Sequence, residues 1–172
     1  MSFRERFEKI KRMTGLCELN ILIWGPGKTS PEHFKKRQKI QFELKRTFPN
    51  ADVRFSEDLE LSSSLSGASG LNLMEQELWH LAACDLCVVL DTSKGSGEEI
   101  AHYVASDMAS KLLILSHEKY RFVSSFPAAL RQHNNQMFYN DFEYESCSLV
   151  EHVSTRVRTI ALGKLAKLSG LS

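Results

Sequence analysis

Five apolar residues in a row, Leu86-Cys87-Val88-Val89-Leu90, stop at Asp91. A run of that length without polar alternation suits a strand buried on both faces, the condition of a parallel sheet. Thr92-Ser93-Lys94-Gly95-Ser96-Gly97 follows, a turn by composition, and then the paired carboxylates Glu98 and Glu99. Ile100, Val104 and Met108 recur at steps of four with Ala101 and Ala105 beside them, which is the apolar stripe of a helix. This order puts the glycine turn at the carboxyl edge of a parallel α/β sheet, where ligands bind. Backbone N–H groups at a helix start favour an anion. Carboxylates there can instead attack an electrophilic sugar carbon.

The rest of the chain alternates in the same way. Residues 2–14 read as a helix ended by Gly15, with Phe3, Phe7 and Ile10 on one face. Leu19 to Trp24 is an apolar run that enters the turn Gly25-Pro26-Gly27-Lys28. Ser30 is the expected cap and Pro31 the first residue of a helix with Ile40, Leu44 and Phe48 as its buried stripe, broken at Pro49-Asn50. Ala51 to Phe55 is a second strand. Residues 62–70 have loop composition, over the carboxyl edge as a lid or a passive connection. Met74, Leu78 and Leu81 mark a helix before the central strand. Lys111 to Leu115 and Gln136 to Tyr139 read as strands, a short helix lies around 120–133, and 146–168 is a long helix with Leu149, Val153, Val157, Ile160 and Leu165 apolar. Strands alternating with helices predict a five-stranded parallel sheet covered on both faces, a flavodoxin/Rossmann-like three-layer α/β sandwich in the order 2-1-3-4-5. The expected organisation is one domain over 1–172, with 1–15 and 146–172 as flanking terminal helical segments.

The 172 residues carry a net charge of +1, which gives no general steering toward nucleic acid or a membrane surface. No apolar run approaches the roughly 18 residues that span a bilayer, and no basic-then-apolar leader opens the chain, so a cytoplasmic protein is expected. The four cysteines, Cys17, Cys84, Cys87 and Cys147, then read as reduced thiols. Cys84 and Cys87 have zinc-ligand spacing without a second pair, and the six histidines show no metal spacing. No metal or cofactor is expected.

Gly25-Pro26-Gly27-Lys28 lacks the spacing of a phosphate-binding loop and the third glycine of a dinucleotide fingerprint. It reads either as an ordinary strand-to-helix turn or as a place where backbone approaches a ligand's sugar or phosphate. The second turn carries more chemistry. A carboxylate at an anomeric carbon splits one hard displacement into two easier ones through a glycosyl ester. A helix start keeps it ionised, and Asp91 or Glu98 can orient a hydroxyl or assist the leaving base. Acids at a helix start are also common for stability alone. Trp24 either stacks on a base or packs in the core. Glu75, His80, His102 and Tyr103 read better as solvated or half-exposed helix faces, and His117 can line the crevice. Ser93 and Ser96 are not in a nucleophile-elbow pattern.

The chain resembles the nucleoside 2-deoxyribosyltransferase family over roughly residues 19–116. The resemblance rests on Ile23-Trp24-Gly25-Pro26, Ala83-Cys84-Asp85, Val88-Val89-Leu90-Asp91, Gly95-Ser96-Gly97-Glu98-Glu99-Ile100 and Lys111-Leu112-Leu113-Ile114. It implies that Glu99 is the nucleophile, with Asp91 orienting the sugar and Glu98 as the second acid. It implies a substrate cradle of Trp24, Gly25, Pro26, Gly27, Gly95, Ser96 and Gly97, with Lys94 able to meet a phosphate. Ala101 stands where the family often has Gly, and Lys94 where it carries an acid before the glycine. A nucleotide or NAD is therefore as compatible as a free deoxynucleoside. Related folds with a catalytic glutamate include TIR-like NAD glycohydrolases and the nucleotide phosphoribohydrolases, whose Pro-Gly-Gly-x-Gly-Thr run this chain lacks. Proteins resembling this family also act as effectors in bacterial anti-phage systems. The resemblance implies cleavage of an N-glycosidic bond by hydrolysis or base transfer, in a homo-oligomer or a complex with a protein partner. The alternative is a non-catalytic module on the same fold that binds a nucleotide or a partner.

Overall fold

The computed structural model describes residues 2–58, 73–91, 107–120, 136–146 and 148–168. Its elements are α1 (Phe3–Gly15), β1 (Leu19–Trp24), α2 (Pro31–Thr47), β2 (Ala51–Phe55), α3 (Leu73–Ala83), β3 (Leu86–Asp91), β4 (Leu112–His117), β5 (Gln136–Tyr139), α4 (Asp141–Glu145) and α5 (Ser148–Leu168), with 3-10 turns at Asp107–Lys111 and Glu118–Tyr120. The five strands form one sheet in the order β2-β1-β3-β4-β5, every neighbouring pair parallel. The expected fold class and strand order hold.

Strict alternation along the inner strands divides two cores. Leu19, Ile21 and Ile23 of β1, Leu86, Val88 and Leu90 of β3, and Leu113 and Leu115 of β4 face one cluster. Ile40, Leu44 and Phe48 at α2 and Leu149, Val153, Val157 and Ala161 of α5 close that cluster. Leu22, Trp24, Cys87, Val89, Leu112 and Ile114 point to the other face, onto Leu81 and Cys84. Continuous apolar runs are thus the sum of two alternating faces, each covered.

Polar clamps fix the amino edge of the sheet. Asp85 Oδ2 accepts from Asn20 N–H at 2.8 Å, and the Asp85 N–H donates to Asn20 O at 2.8 Å. Lys164 of α5 donates to both Asp85 oxygens at 3.1 Å and to Glu18 O at 2.9 Å. Lys111 Nζ donates to Leu81 O and Ala82 O, neutralising the carbonyl end of α3. The acid of Ala83-Cys84-Asp85 and the lysine that opens Lys111-Leu112 are therefore scaffold residues, remote from the carboxyl edge.

Several local expectations change. Ser30 does precede α2 and Pro31 is its first residue, but the Ser30 side chain makes no capping bond to the backbone. Its hydroxyl instead pairs with His33 Nδ1 at 2.8 Å. Of the residues that mark α3, Leu78 is 37% exposed and Leu81 is buried. The segment before the last helix holds a separate helix, α4, with a capping box between Asn140 and Glu143. Cys17, Cys84 and Cys87 are buried free thiols, as expected. Burial pushes the Cys84 thiol up to about 11 and raises Cys87 well above its ordinary value, so both stay protonated. Cys147, the 62–70 segment and the short helix expected around 120–133 lie outside the described residues.

Gly25 locks β1 against β3. It has φ of +145°, and a Cβ there would lie 2.9 Å from Leu90 O and 3.1 Å from Leu90 Cβ. Both the backbone conformation and the space demand glycine. Gly25→Ala is expected to cost about 2–4 kcal/mol, combining strained φ with overpacking against backbone. Gly27→Ala, whose Cβ would come only to 3.5 Å of Glu57 Oε1, is expected to cost far less. Urea denaturation of the two variants side by side checks this difference.

Candidate functional site

The chain leaves β1 toward β2 and leaves β3 toward β4, in opposite directions across the sheet. A parallel sheet opens a crevice between the carboxyl ends of two such strands. Two of the sequence motifs meet there. Trp24 pairs in register with Val89, which sets Gly25 level with Leu90, and the backbone of Asp91 follows at once as the last residue of β3. Asp91 itself is registered with Ser116 of β4. Lys94, Gly95, Ser96, Gly97, Glu98, Glu99, His102 and Tyr103 lie outside the described residues.

The first turn is braced from below by a side chain that sequence reasoning missed. Arg37 of α2 is fully buried. Its Nη1 donates to Gly25 O at 2.9 Å, Pro26 O at 3.1 Å and Glu57 Oε1 at 2.7 Å. Its Nη2 donates to Ile23 O at 2.8 Å and Glu57 Oε2 at 2.7 Å. The guanidinium lies over the Phe55 ring, 4.7 Å from the centroid. One cation thus gathers the end of β1, the glycine turn and the second residue beyond β2. A planar fork with donors on both prongs is what such a junction needs, and a lysine could not supply it. The signal was faint but present. Arg37 precedes Ile40 by three and Leu44 by seven, so it falls on the apolar stripe of its own helix.

Glu57 is the outward half of this pair, its side chain 44% exposed against 0% for Arg37. Burial alone would raise its carboxyl. The hydrogen bonds from Arg37, its own backbone and Ser56, with the Arg37 charge, outweigh that and hold it below the usual carboxylate range. Stability from a depressed acid is present above the unfolded-state value and lost as pH falls through the folded one. The Glu57 contribution should therefore be intact at neutral pH and disappear on acidification below about 4. The stability gap between the unsubstituted chain and Glu57→Gln, read by urea denaturation, should hold between pH 7 and about pH 5 and shrink as the pH falls below that.

Trp24 is only 8% exposed and belongs to the core cluster over α3, so it packs beneath the turn. Pro26 and Gly27 are half-buried at the edge, Glu75 is exposed on α3, and His80 is half-buried. His117 ends β4 at the same edge. Its Nδ1 accepts from Lys119 N–H at 3.1 Å, which leaves the ring proton on Nε2, aimed at Asp141 Oδ1 at 2.8 Å. His117 packs edge-on to Tyr139, and Tyr139 stacks on Tyr144, with Lys36 Nζ 4.6 Å from the Tyr144 ring centroid. Burial and then the nearby Glu32 push the Tyr144 phenol up to about 12. This aromatic wall stands beyond β4 and was not legible as a site from spacing. Among the described residues, no group of His, Cys, Asp and Glu is arranged to hold a metal ion, and no helix is long and apolar enough to cross a membrane.

Fold and site together define a doubly wound, all-parallel α/β domain with its crevice between β1 and β3. No protein-family model matches the chain, and no curated protein matches it in sequence.

Proposed function

We propose that this chain is a nucleoside 2-deoxyribosyltransferase-like enzyme that cleaves the N-glycosidic bond of a nucleoside, nucleotide or NAD-type substrate. The observation that carries the reading is the meeting of Gly25-Pro26-Gly27 with the Asp91 end of β3 at the topological switch point. From that point the sequence continues directly into Gly95-Ser96-Gly97-Glu98-Glu99.

In this mechanism a Glu99 carboxylate oxygen bonds to C1′ as the C1′–N bond breaks. The bond pair leaves on the base, which takes up a proton. Water, or a second base, then attacks C1′ and frees Glu99. Asp91 orients the sugar and Glu98 serves as the second acid. Gly27 leaves room for the sugar. Gly25 contributes through the closeness of β1 to β3, since its missing Cβ is already claimed by Leu90. Ser96 and Lys94 receive a hydroxyl or phosphate.

The test is chromatography of the purified protein with NAD, NADP, nucleotides, nucleosides and deoxynucleosides, with and without an acceptor base. Free base is expected from one class of substrate. Exchange only in the presence of acceptor would define a transferase. No base from any compound would overturn the enzymatic reading.

One observation favours a second reading, a binding module that joins a protein partner or its own copies. Every residue of α1 from Phe3 to Met13 is exposed, and Phe3, Phe7 and Ile10 form an uncovered apolar stripe. Helices this short are marginal in water without packing. Under this reading light scattering detects association that Phe7→Glu abolishes, and any nucleotide that binds is recovered unchanged.

A further inference from the structure

We propose that α1 is a lipid-docking helix, which seats its apolar stripe in the interface of an anionic bilayer and leaves the rest of the chain in water. The proposal is independent of the glycosidic reading above.

The charge of the chain is unevenly placed. Arg4, Arg6, Lys9, Lys11 and Arg12 against Glu5 and Glu8 leave α1 with +3. The whole chain carries +1, so everything outside α1 sums to −2. A net charge near zero therefore conceals one cationic helix on a mildly acidic body. Among the described residues, no ion pair engages any of the five cations. Glu5 is held at the helix start, where its Oε2 accepts from Ser2 N–H at 2.6 Å and closes a capping box.

The cations also border the stripe. A helix turns about 100° per residue, which sets Phe3, Phe7 and Ile10 on one side of α1. Arg4 and Lys11 then fall along one border of that stripe, and Arg6, with Lys9 behind it, along the other. Glu5 and Glu8 fall on the opposite face. Long basic side chains beside an apolar stripe reach headgroup phosphates while the stripe goes deeper. Exposure falls along the stripe from 87% at Phe3 to 57% at Phe7 and 46% at Ile10. The stripe ends at buried Thr14, and a Cβ at Gly15 would lie 3.3 Å from Thr47 O. The carboxyl end of α1 is thus anchored to the body while its amino end stands exposed.

These features choose among occupants. A second copy seated stripe to stripe brings +3 against +3. An acidic groove on another protein would answer the charge, but it places no demand on both borders of the stripe. An anionic bilayer is planar and meets both borders at once.

The experiment sediments the unsubstituted chain with vesicles of phosphatidylcholine alone or with roughly 30% phosphatidylserine, which supplies an anionic surface potential. Affinity for the anionic vesicles should exceed that for neutral ones by on the order of a hundredfold, the worth of three net charges at the surface. It should fall as salt is raised. Phe3→Ser/Phe7→Ser keeps every charge, and Arg4→Gln/Lys11→Gln keeps the stripe. Each should lower affinity for anionic vesicles by roughly tenfold or more. The urea midpoints of both should match that of the unsubstituted chain, because the replaced side chains are exposed. A lowered midpoint in the first would show the stripe to be covered by the chain itself, which overturns the proposal. So do vesicle binding indifferent to phosphatidylserine, binding that either variant leaves intact, and no binding. Light-scattering association without lipid that Phe3→Ser/Phe7→Ser abolishes assigns the stripe to a second copy. Retention on polyglutamate with no vesicle binding assigns it to an acidic protein, and either result overturns the lipid. None of these readouts measures base release, so this proposal and the glycosidic reading fail separately.

Discussion

Glu99→Gln is expected to release no measurable base from any substrate that the unsubstituted chain cleaves, a loss on the order of a thousandfold or more when a covalent nucleophile is removed. The amide is nearly isosteric with the carboxylate but carries no charge to form the glycosyl ester or to stabilise positive charge at C1′. Glu98→Gln is the necessary companion, since the two acids are adjacent. In the resemblance to the deoxyribosyltransferases, Gly95 four residues before and Ile100 just after assign the proposed nucleophile to Glu99. Glu98→Gln should therefore retain turnover, reduced within the range of one lost acid-base contribution, about 10²-fold. A Glu99→Ala variant adds a readout that a merely structural role would not move. Azide or formate in the vacated space should restore part of the base release. Equal losses at both positions without rescue would show that the pair only supports the helix start.

The sheet was legible because its inner strands are apolar on both faces. Leu19–Trp24 and Leu86–Asp91 could not alternate, so they had to lie between two layers. Helix α2 was legible from Pro31 and the Ile40, Leu44 and Phe48 stripe for the same reason. What escaped was polar. Arg37 occupies a core position, but a lone arginine on a helix reads as surface until its partners are known. Those partners are a carbonyl of β1, two carbonyls of the turn after it and a carboxylate twenty residues on, and no spacing rule connects them. Ser30 had the identity of a cap, yet His33 at the third position competes for its hydroxyl. Asn140 and Glu143 do carry the capping-box spacing. Helix α4 could have been read from them, but it is too short to show an apolar period. Of the candidate site, the glycine turn was legible as a feature though its reason was not. Gly25 answers to Leu90 and Arg37 of the chain itself, whereas a Cβ at Gly27 would come no closer than 3.5 Å, to Glu57 Oε1.

Arg37→Met should be strongly destabilising, by about 3 kcal/mol. That is the lower end of the range for breaking a buried pair, because the stranded Glu57 remains half in water. The loss has two sources. Ile23 O, Gly25 O and Pro26 O each forfeit a donor, and the carboxylate forfeits both its prongs. Against a total stability of about 5–15 kcal/mol for a domain, such a change lowers the urea midpoint substantially at pH 7. Arg37→Lys should recover little, since one ammonium cannot bridge the carbonyls and the carboxylate together. Arg37 Cδ would lie 3.3 Å from a Cβ at residue 25, so Gly25→Ala and Arg37→Met act on the same junction. Their effects should fall short of additive by about 0.5 kcal/mol or more in a double-mutant cycle. Once Arg37 has gone, the turn can shift and the added methyl group no longer meets a fixed neighbour. Strict additivity would mean that Leu90 alone holds Gly25 and that the arginine stabilises the edge without shaping it.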